Sequence, residues 1–183
     1  MNPQNQTLKS KLEDLVDGWK TSGLPGRQTL MDMARDLLEW KKEKEITGLW
    51  AIPPVFATAT LDDAWGYGLE LIGAYAKVLG MKVVPLGLEK SAREIIEACH
   101  EIQPDYLGMT ILQFDSEDDL CEIGQNIPDK TRLIAGGPVF KSDPDMADRA
   151  RVFFMAKNVA AFIQFFLHSR FFTSNSLPTK TAK

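Results

Sequence analysis

From Pro53 onward, short β-type apolar runs alternate with helical stretches, and this alternation limits the possible folds more than any other feature of the chain. Runs of this length bury their faces only as members of one sheet. Strands separated by helices are joined by crossovers, which make the sheet parallel and place helices on both its faces. Five runs read as strands: Val55 to Ala59, Lys82 to Leu86, Tyr106 to Leu112, Arg132 to Ala135 and Val152 to Phe154. The expected fold class is α/β, a Rossmann-like or flavodoxin-like five-stranded parallel sheet preceded by a short N-terminal helical hairpin.

The connecting segments carry helix signals. A polar turn, TLDDAWGYG, leads into a helix to Leu79 that Gly80 can end in a left-handed conformation. Ser91 with Glu94 forms a capping box before a helix carrying Ile95, Cys99 and Ile102, and Pro104 closes it. Ser116 is a second candidate N-cap, for a helix with Leu120 and Ile123. A short helix is expected from Pro144 through Met146 to Ala150, and a last one from Lys157 to Arg170, presenting Ala160, Ile163, Phe166 and Leu167.

Ahead of the sheet, Leu8, Leu12, Leu15, Val16 and Trp19 form one helical stripe and Leu30, Met33, Leu37 and Trp40 another, separated by Gly23, Pro25 and Gly26. Two such helices bury little alone, so the hairpin is expected to pack on the sheet or on a second subunit. The KKEKE run at 41–45 reads as a solvated face. The resulting organisation is a hairpin over 1–46, an α/β domain over 47–170 and a disordered tail over 171–183.

At 183 residues the chain suits one substantial core. A net charge of −4 argues against a nucleic-acid-binding face as its main business, since phosphate neutralisation needs clustered Lys and Arg. No apolar run approaches the ~20 residues of a bilayer span, and the polar start lacks a secretory core, so a cytoplasmic protein is expected, without a membrane partner. Cys99 and Cys121 have no metal-ligand spacing and read as packing thiols.

In an open parallel sheet, ligands bind at the carboxyl ends of the strands. The loops there hold Asp62, Asp63, Trp65, Gly66 and Gly68; then Thr110, Leu112 and Gln113; then Gly136, Gly137, Pro138 and Phe140. Each has a structural reading too. Asp62 and Asp63 suit the cap of the following helix, Trp65 a core or interface aromatic, and Gly136 with Gly137 a tight turn. The Asp62–Asp63 pair with Lys157 also has the makings of a magnesium-phosphate receiver site, but LGMTIL offers no acceptor aspartate at the end of the third strand.

Asp63-Ala-Trp65-Gly-Tyr-Gly68, Thr110-Ile-Leu112 and Gly136-Gly137 occur in the order of the Asp-x-His-x-x-Gly, Ser-x-Leu and Gly-Gly motifs of cobalamin-binding domains. Over about residues 53 to 168 the chain resembles that family of corrinoid proteins. The resemblance implies the B12-binding domain fold, cobalamin as cofactor, and a methyl-corrinoid carrier serving a methyltransferase. It implies cofactor-binding roles for Asp63, Trp65, Gly68, Thr110, Leu112, Gly136 and Gly137, with the nucleotide tail threaded beside the helix after the first strand and Thr110 offering it a hydroxyl. Trp65 departs from the pattern at the position of the cobalt-ligating histidine, and an indole N–H donates without a lone pair for a metal. Binding would then proceed without a protein ligand to cobalt. RARVFFMAK also lacks the glycine that the family carries near the fifth strand.

No nucleophile–base pair, metal triad or phosphate-binding glycine loop stands elsewhere, so no catalytic residue is assigned and no activity alone is expected; at most the chain is the corrinoid-binding component of a methyltransferase. The alternative is a non-catalytic regulatory or partner-binding module that kept the fold without the cofactor, with the hairpin as a homodimer or partner surface.

Overall fold

The computed structural model describes residues 3–62 and 67–168. Helices α1 (Pro3–Ser22) and α2 (Arg27–Glu43) form the hairpin. The α/β part follows as β1 (Val55–Ala59), α3 (Tyr67–Leu79), β2 (Lys82–Gly87), α4 (Ala92–Ile102), β3 (Tyr106–Thr110), α5 (Glu117–Asn126), β4 (Arg132–Gly136), α6 (Val139–Ser142), α7 (Met146–Arg149), β5 (Phe154–Met155) and α8 (Val159–His168). The strands pair in the order β2-β1-β3-β4-β5 and every pair is parallel, the flavodoxin-like arrangement expected from the alternation. No helix of the described residues is long and apolar enough to cross a membrane.

Side chains leave the strands with period two, and the two faces bury different sets. Phe56, Tyr106 and Ile134 join α3 and α8 in one core, which the aromatic pairs Phe56–Phe162 and Tyr106–Phe166 knit edge to face at 5.6 and 5.1 Å. Ala57, Ala59, Leu107, Met109 and Leu133 face α4 and α5, where Ile95, Cys99, Leu120 and Ile123 are buried. Pro85 lies in β2, an edge strand, where its missing N–H costs no ladder bond.

Local signals place most boundaries. The capping box is formed: Ser91 Oγ accepts from the Glu94 N–H at 3.3 Å and Glu94 Oε2 accepts from the Ser91 N–H at 3.0 Å. Gly80 ends α3 at φ +102°. Ser116 is not the side-chain cap that the sequence suggests. A 3-10 turn over Phe114–Ser116 leads into α5, and Ser116 spends its N–H on the Gln113 carbonyl. The third strand stops at Thr110 because the Leu112 N–H turns to a side chain, Asp62, instead of a neighbouring strand. The fifth strand starts two residues later than its apolar run, since the Val152 N–H closes the end of α7 on the Ala147 carbonyl. α7 begins at Met146, after Pro144 has accepted a turn bond from Ala147, and α6 is an element that the sequence does not announce.

The hairpin packs mainly on the helix layer of its own chain, α1 against α8 and α2 against α3. Leu8, Leu12, Val16, Trp19, Leu30, Ala34 and Leu37 are buried in the same core as α3 and α8. Trp19 meets the Tyr75 ring edge-on at 6.1 Å, and the Tyr75 hydroxyl donates to the Leu30 carbonyl of α2 at 3.0 Å.

Lys41 departs from the expected solvated run. It is buried, and its ammonium donates to the carbonyls of Lys77 and Val78 at 3.1 and 2.7 Å, closing the carboxyl end of α3. Burial lowers its pKa from 10.5 to about 8. Below pH 8 both folded and unfolded chains carry this proton, so the desolvation penalty is fully present. Between about 8 and 10.5 the folded chain sheds it first, so this group makes stability rise with pH. Lys41→Met should lower the urea-unfolding free energy at pH 7 by about 1–3 kcal/mol, because two carbonyls lose their donor. The gap between wild type and variant should widen as the pH is raised from 8 to 10.

Candidate functional site

At the carboxyl edge of the sheet a slot of about 190 Å³ opens between the start of α3, the ends of β3 and β4, and the turn from β5 into α8. Gly68 and Leu69 contribute from α3, Thr110 from β3, Gly136 and Gly137 from β4, and Ala156, Lys157 and Asn158 from the turn. Phe162 and Ile134 are buried and form the floor, whereas Lys157 and Asn158 are exposed and stand at the mouth. The volume is below the roughly 300–1,000 Å³ of pockets that enclose a whole small ligand. It suits a side arm of a larger one.

Glycines set the walls by close approach. A Cβ on Gly68 would stand 3.2 Å from Thr110 Oγ1. One on Gly136 would lie 2.6 Å from the Ala156 carbonyl oxygen, and one on Gly137, whose φ is +129°, 2.0 Å from that of Ile111. The double glycine therefore lets β4 pack against its own neighbours, β3 on one side and the α8 turn on the other. The Thr110 hydroxyl makes no hydrogen bond to another described residue and remains available to a ligand.

Asp62 ties two loops of this edge together. Its Oδ2 accepts from the Leu112 N–H at 3.2 Å, so the carboxylate spans the crevice between β1 and β3, where the strand order reverses. Its backbone carbonyl accepts from Thr60 Oγ1 at 2.8 Å, and its Oδ1 is buried without a hydrogen-bond partner among the described residues. Asp62 thus fixes the exit of β3, while the backbone that its expected helix-capping role concerns lies outside the described residues.

Of the residues expected at the site, Gly68, Thr110, Gly136 and Gly137 come together around the slot. Leu112 does not line it; the side chain is exposed on the rim while its N–H holds Asp62. Asp63 and Trp65 lie outside the described residues, as do Gly66 and the segment 169–183. Ile72, Ile134 and Phe162 were not singled out from the sequence, although the strand and helix periods that place Ile134 and Phe162 on the α3–α8 side carry that information.

The chemistry available at this edge is binding chemistry. Both histidines of the chain lie at the opposite, amino edge, near the ends of α4 and α8, with His100 Nε2 2.8 Å from the Asn126 carbonyl and His168 Nδ1 2.9 Å from that of Gln164. Among the described residues no group of three His, Cys, Asp or Glu is placed to hold a metal. Burial pushes the Cys99 thiol up to about 11, which keeps it protonated and inert.

Solved structures share this architecture. A cobalamin-binding protein from Desulfitobacterium hafniense DCB-2 superposes with a TM-score of 0.74 over 89% of this chain and 81% of its own, at 17% identity. The monomethylamine corrinoid protein of Methanosarcina barkeri gives 0.56 over 90% and 92%, at 16% identity. The methanol:cobalamin methyltransferase complex MtaBC from the same organism gives 0.52 over 90% and 76%, at 15% identity. The likeness is one of fold. No protein-family model matches the sequence, and no curated protein matches it significantly.

The closeness at Gly137 has a measurable consequence. Gly137→Ala adds a methyl group against a backbone carbonyl in a left-handed conformation, and should cost on the order of 3 kcal/mol in urea unfolding. Exposed Gly26, which has open space around it, should accept alanine within about 0.5 kcal/mol.

Proposed function

We propose that this protein binds a corrinoid at the carboxyl edge of its sheet, with a side arm of the cofactor in the slot and no protein side chain on cobalt. The observation that carries the reading is the convergence of Gly68, Thr110, Gly136 and Gly137 on one slot beside α3, where the motif resemblance expects the nucleotide tail. The fold is that of cobalamin-binding and corrinoid proteins.

The described residues fit the organic part of such a cofactor. The slot is mostly apolar and narrow, and the free Thr110 hydroxyl faces one wall. In the loops after β2 and β3, Leu88, Leu112 and Phe114 are exposed apolar residues at the same carboxyl edge, where a macrocycle could lie. They do not supply the metal: neither histidine of the chain is near, and Trp65 cannot coordinate. A bound corrinoid supplies methyl-transfer chemistry at cobalt, while this chain binds and orients it and covers its edge. The partner is then a methyltransferase that takes or delivers the methyl group. We place the chain in the cytoplasm, with the hairpin and the α/β part as its two units.

A second reading keeps the fold as a cofactor-free regulatory or partner-binding module. The exposed rim favours it, because the same apolar residues serve a protein partner. The hairpin does not, since its apolar stripes are already buried against α3 and α8.

Purified protein incubated with hydroxocobalamin or methylcobalamin should co-elute with it on gel filtration and shift its visible spectrum. Gly68→Phe, which fills the slot from the start of α3 and pushes the Thr110 side chain aside, should abolish co-elution while the far-UV circular dichroism stays as in wild type. In the bound state, Trp65→His should alter the cobalt spectrum by adding a lower ligand; an unchanged spectrum would remove Trp65 from the site. Absence of co-elution for either cobalamin would leave the partner-binding module.

A further inference from the structure

We infer that Lys157 is a specificity residue of the slot, selecting ligands that join an apolar arm to an anionic group; this rests on the corrinoid reading above. The lining is sharply divided. Leu69, Ile72, Ile134 and Phe162 make the interior apolar, and Lys157 is the only charged residue among the described residues that line it. Among the described residues no Asp or Glu shares the lining, and Lys157 has no ion pair or hydrogen bond with another described residue. It stands exposed at the mouth, two residues before α8, a ten-residue helix whose positive end adds to the same potential.

A ligand that enters apolar end first therefore meets a cation where it leaves the slot. Thr110 and Asn158 are the two other polar side chains in the lining, and the Thr110 hydroxyl is free to donate to the same group. Asn158 is partly engaged, its Oδ1 accepting from the Ala161 N–H at 2.9 Å. A flat heterocycle followed by a phosphodiester has this order of properties, and it is the order in the nucleotide tail of cobalamin. Lys157, in the RARVFFMAK stretch that lacks the family's glycine, thereby becomes a contact for the tail phosphate.

The inference predicts discrimination between cobalamin and cobinamide, which has the corrin ring but lacks the phosphate and base. Dissociation constants for both would be measured by absorption titration on wild type, Lys157→Met and Lys157→Arg, with Tm as the folding control. Lys157→Met should weaken cobalamin by about tenfold or more, the size of one charge-assisted hydrogen bond, and leave cobinamide unchanged. Lys157→Arg should retain the preference, and added salt should weaken cobalamin binding in wild type more than in Lys157→Met. Equal effects of Lys157→Met on both ligands, or none on either, would overturn the role of Lys157 and leave corrinoid binding standing. Binding of neither ligand to wild type would overturn both.

Discussion

The helix that follows the first strand is covered from two sides, and the rest of the molecule is arranged around that cover. On the sheet side Gly73 of α3 packs over Val83 of β2 at ordinary van der Waals distance. On the other side Tyr75 lies fully buried under the hairpin, with its ring against Trp19 and its hydroxyl on the Leu30 carbonyl. A helix apolar on more than one face needs covering on more than one face. Burying an aromatic of this size is worth roughly 2–3 kcal/mol, so α1 and α2 are a second wall of the same core. The start of α3 is also one side of the slot. The hairpin thus supports the site from behind while taking no part in its lining.

The other walls are fixed by backbone contact. Gly137 brings β4 against the Ile111 carbonyl and Gly136 brings it against Ala156, so the ends of β3, β4 and the α8 turn hold a set spacing with no ligand needed to impose it. Asp62 does the same across the crevice between β1 and β3 through the Leu112 N–H. A site whose walls are held by main-chain packing loses little conformational freedom on binding, and more of the contact energy then appears as affinity. The Asp62 Oδ1 is the exception: it is a buried acceptor with no donor among the described residues, beside the loop that the motif resemblance assigns to the cofactor.

The five strands, their parallel order and the hairpin were legible because they depend on period and punctuation: alternation in the runs, the capping box at Ser91, and Gly80 after α3. Where the reading fell short, a side chain or carbonyl had taken a backbone group away from its local partner. Leu112 left the third strand for Asp62, Val152 closed α7 on Ala147, and the N–H of Ser116 joined a 3-10 turn. Lys41 was misplaced for a related reason, since its neighbours in the charged run are solvated and only the arrival of the α3 terminus beside it gives its ammonium a buried use. The slot was half legible. The glycines and Thr110 carry motif spacing, whereas the floor at Ile134 and Phe162 arises from two elements far apart in sequence that meet only through the sheet.

The positions of the histidines bear on what the slot has to do. In a site with a histidine under the metal, a coordinate bond contributes both affinity and orientation. Here both histidines are at the amino edge, and Trp65 offers only a donor. On the corrinoid reading, affinity and orientation then fall to contacts with the organic part: the exposed apolar residues Leu88, Leu112 and Phe114 of the carboxyl-edge loops, and the slot. The rim is apolar and undirected, so it holds a macrocycle without fixing its rotation. A narrow slot with one cation at its mouth does fix it, since a tail enters in one direction and its anionic group has one counter-charge to meet. With the tail base in the slot and no protein side chain suited to cobalt, contacts to the organic part would alone decide how the cofactor is held.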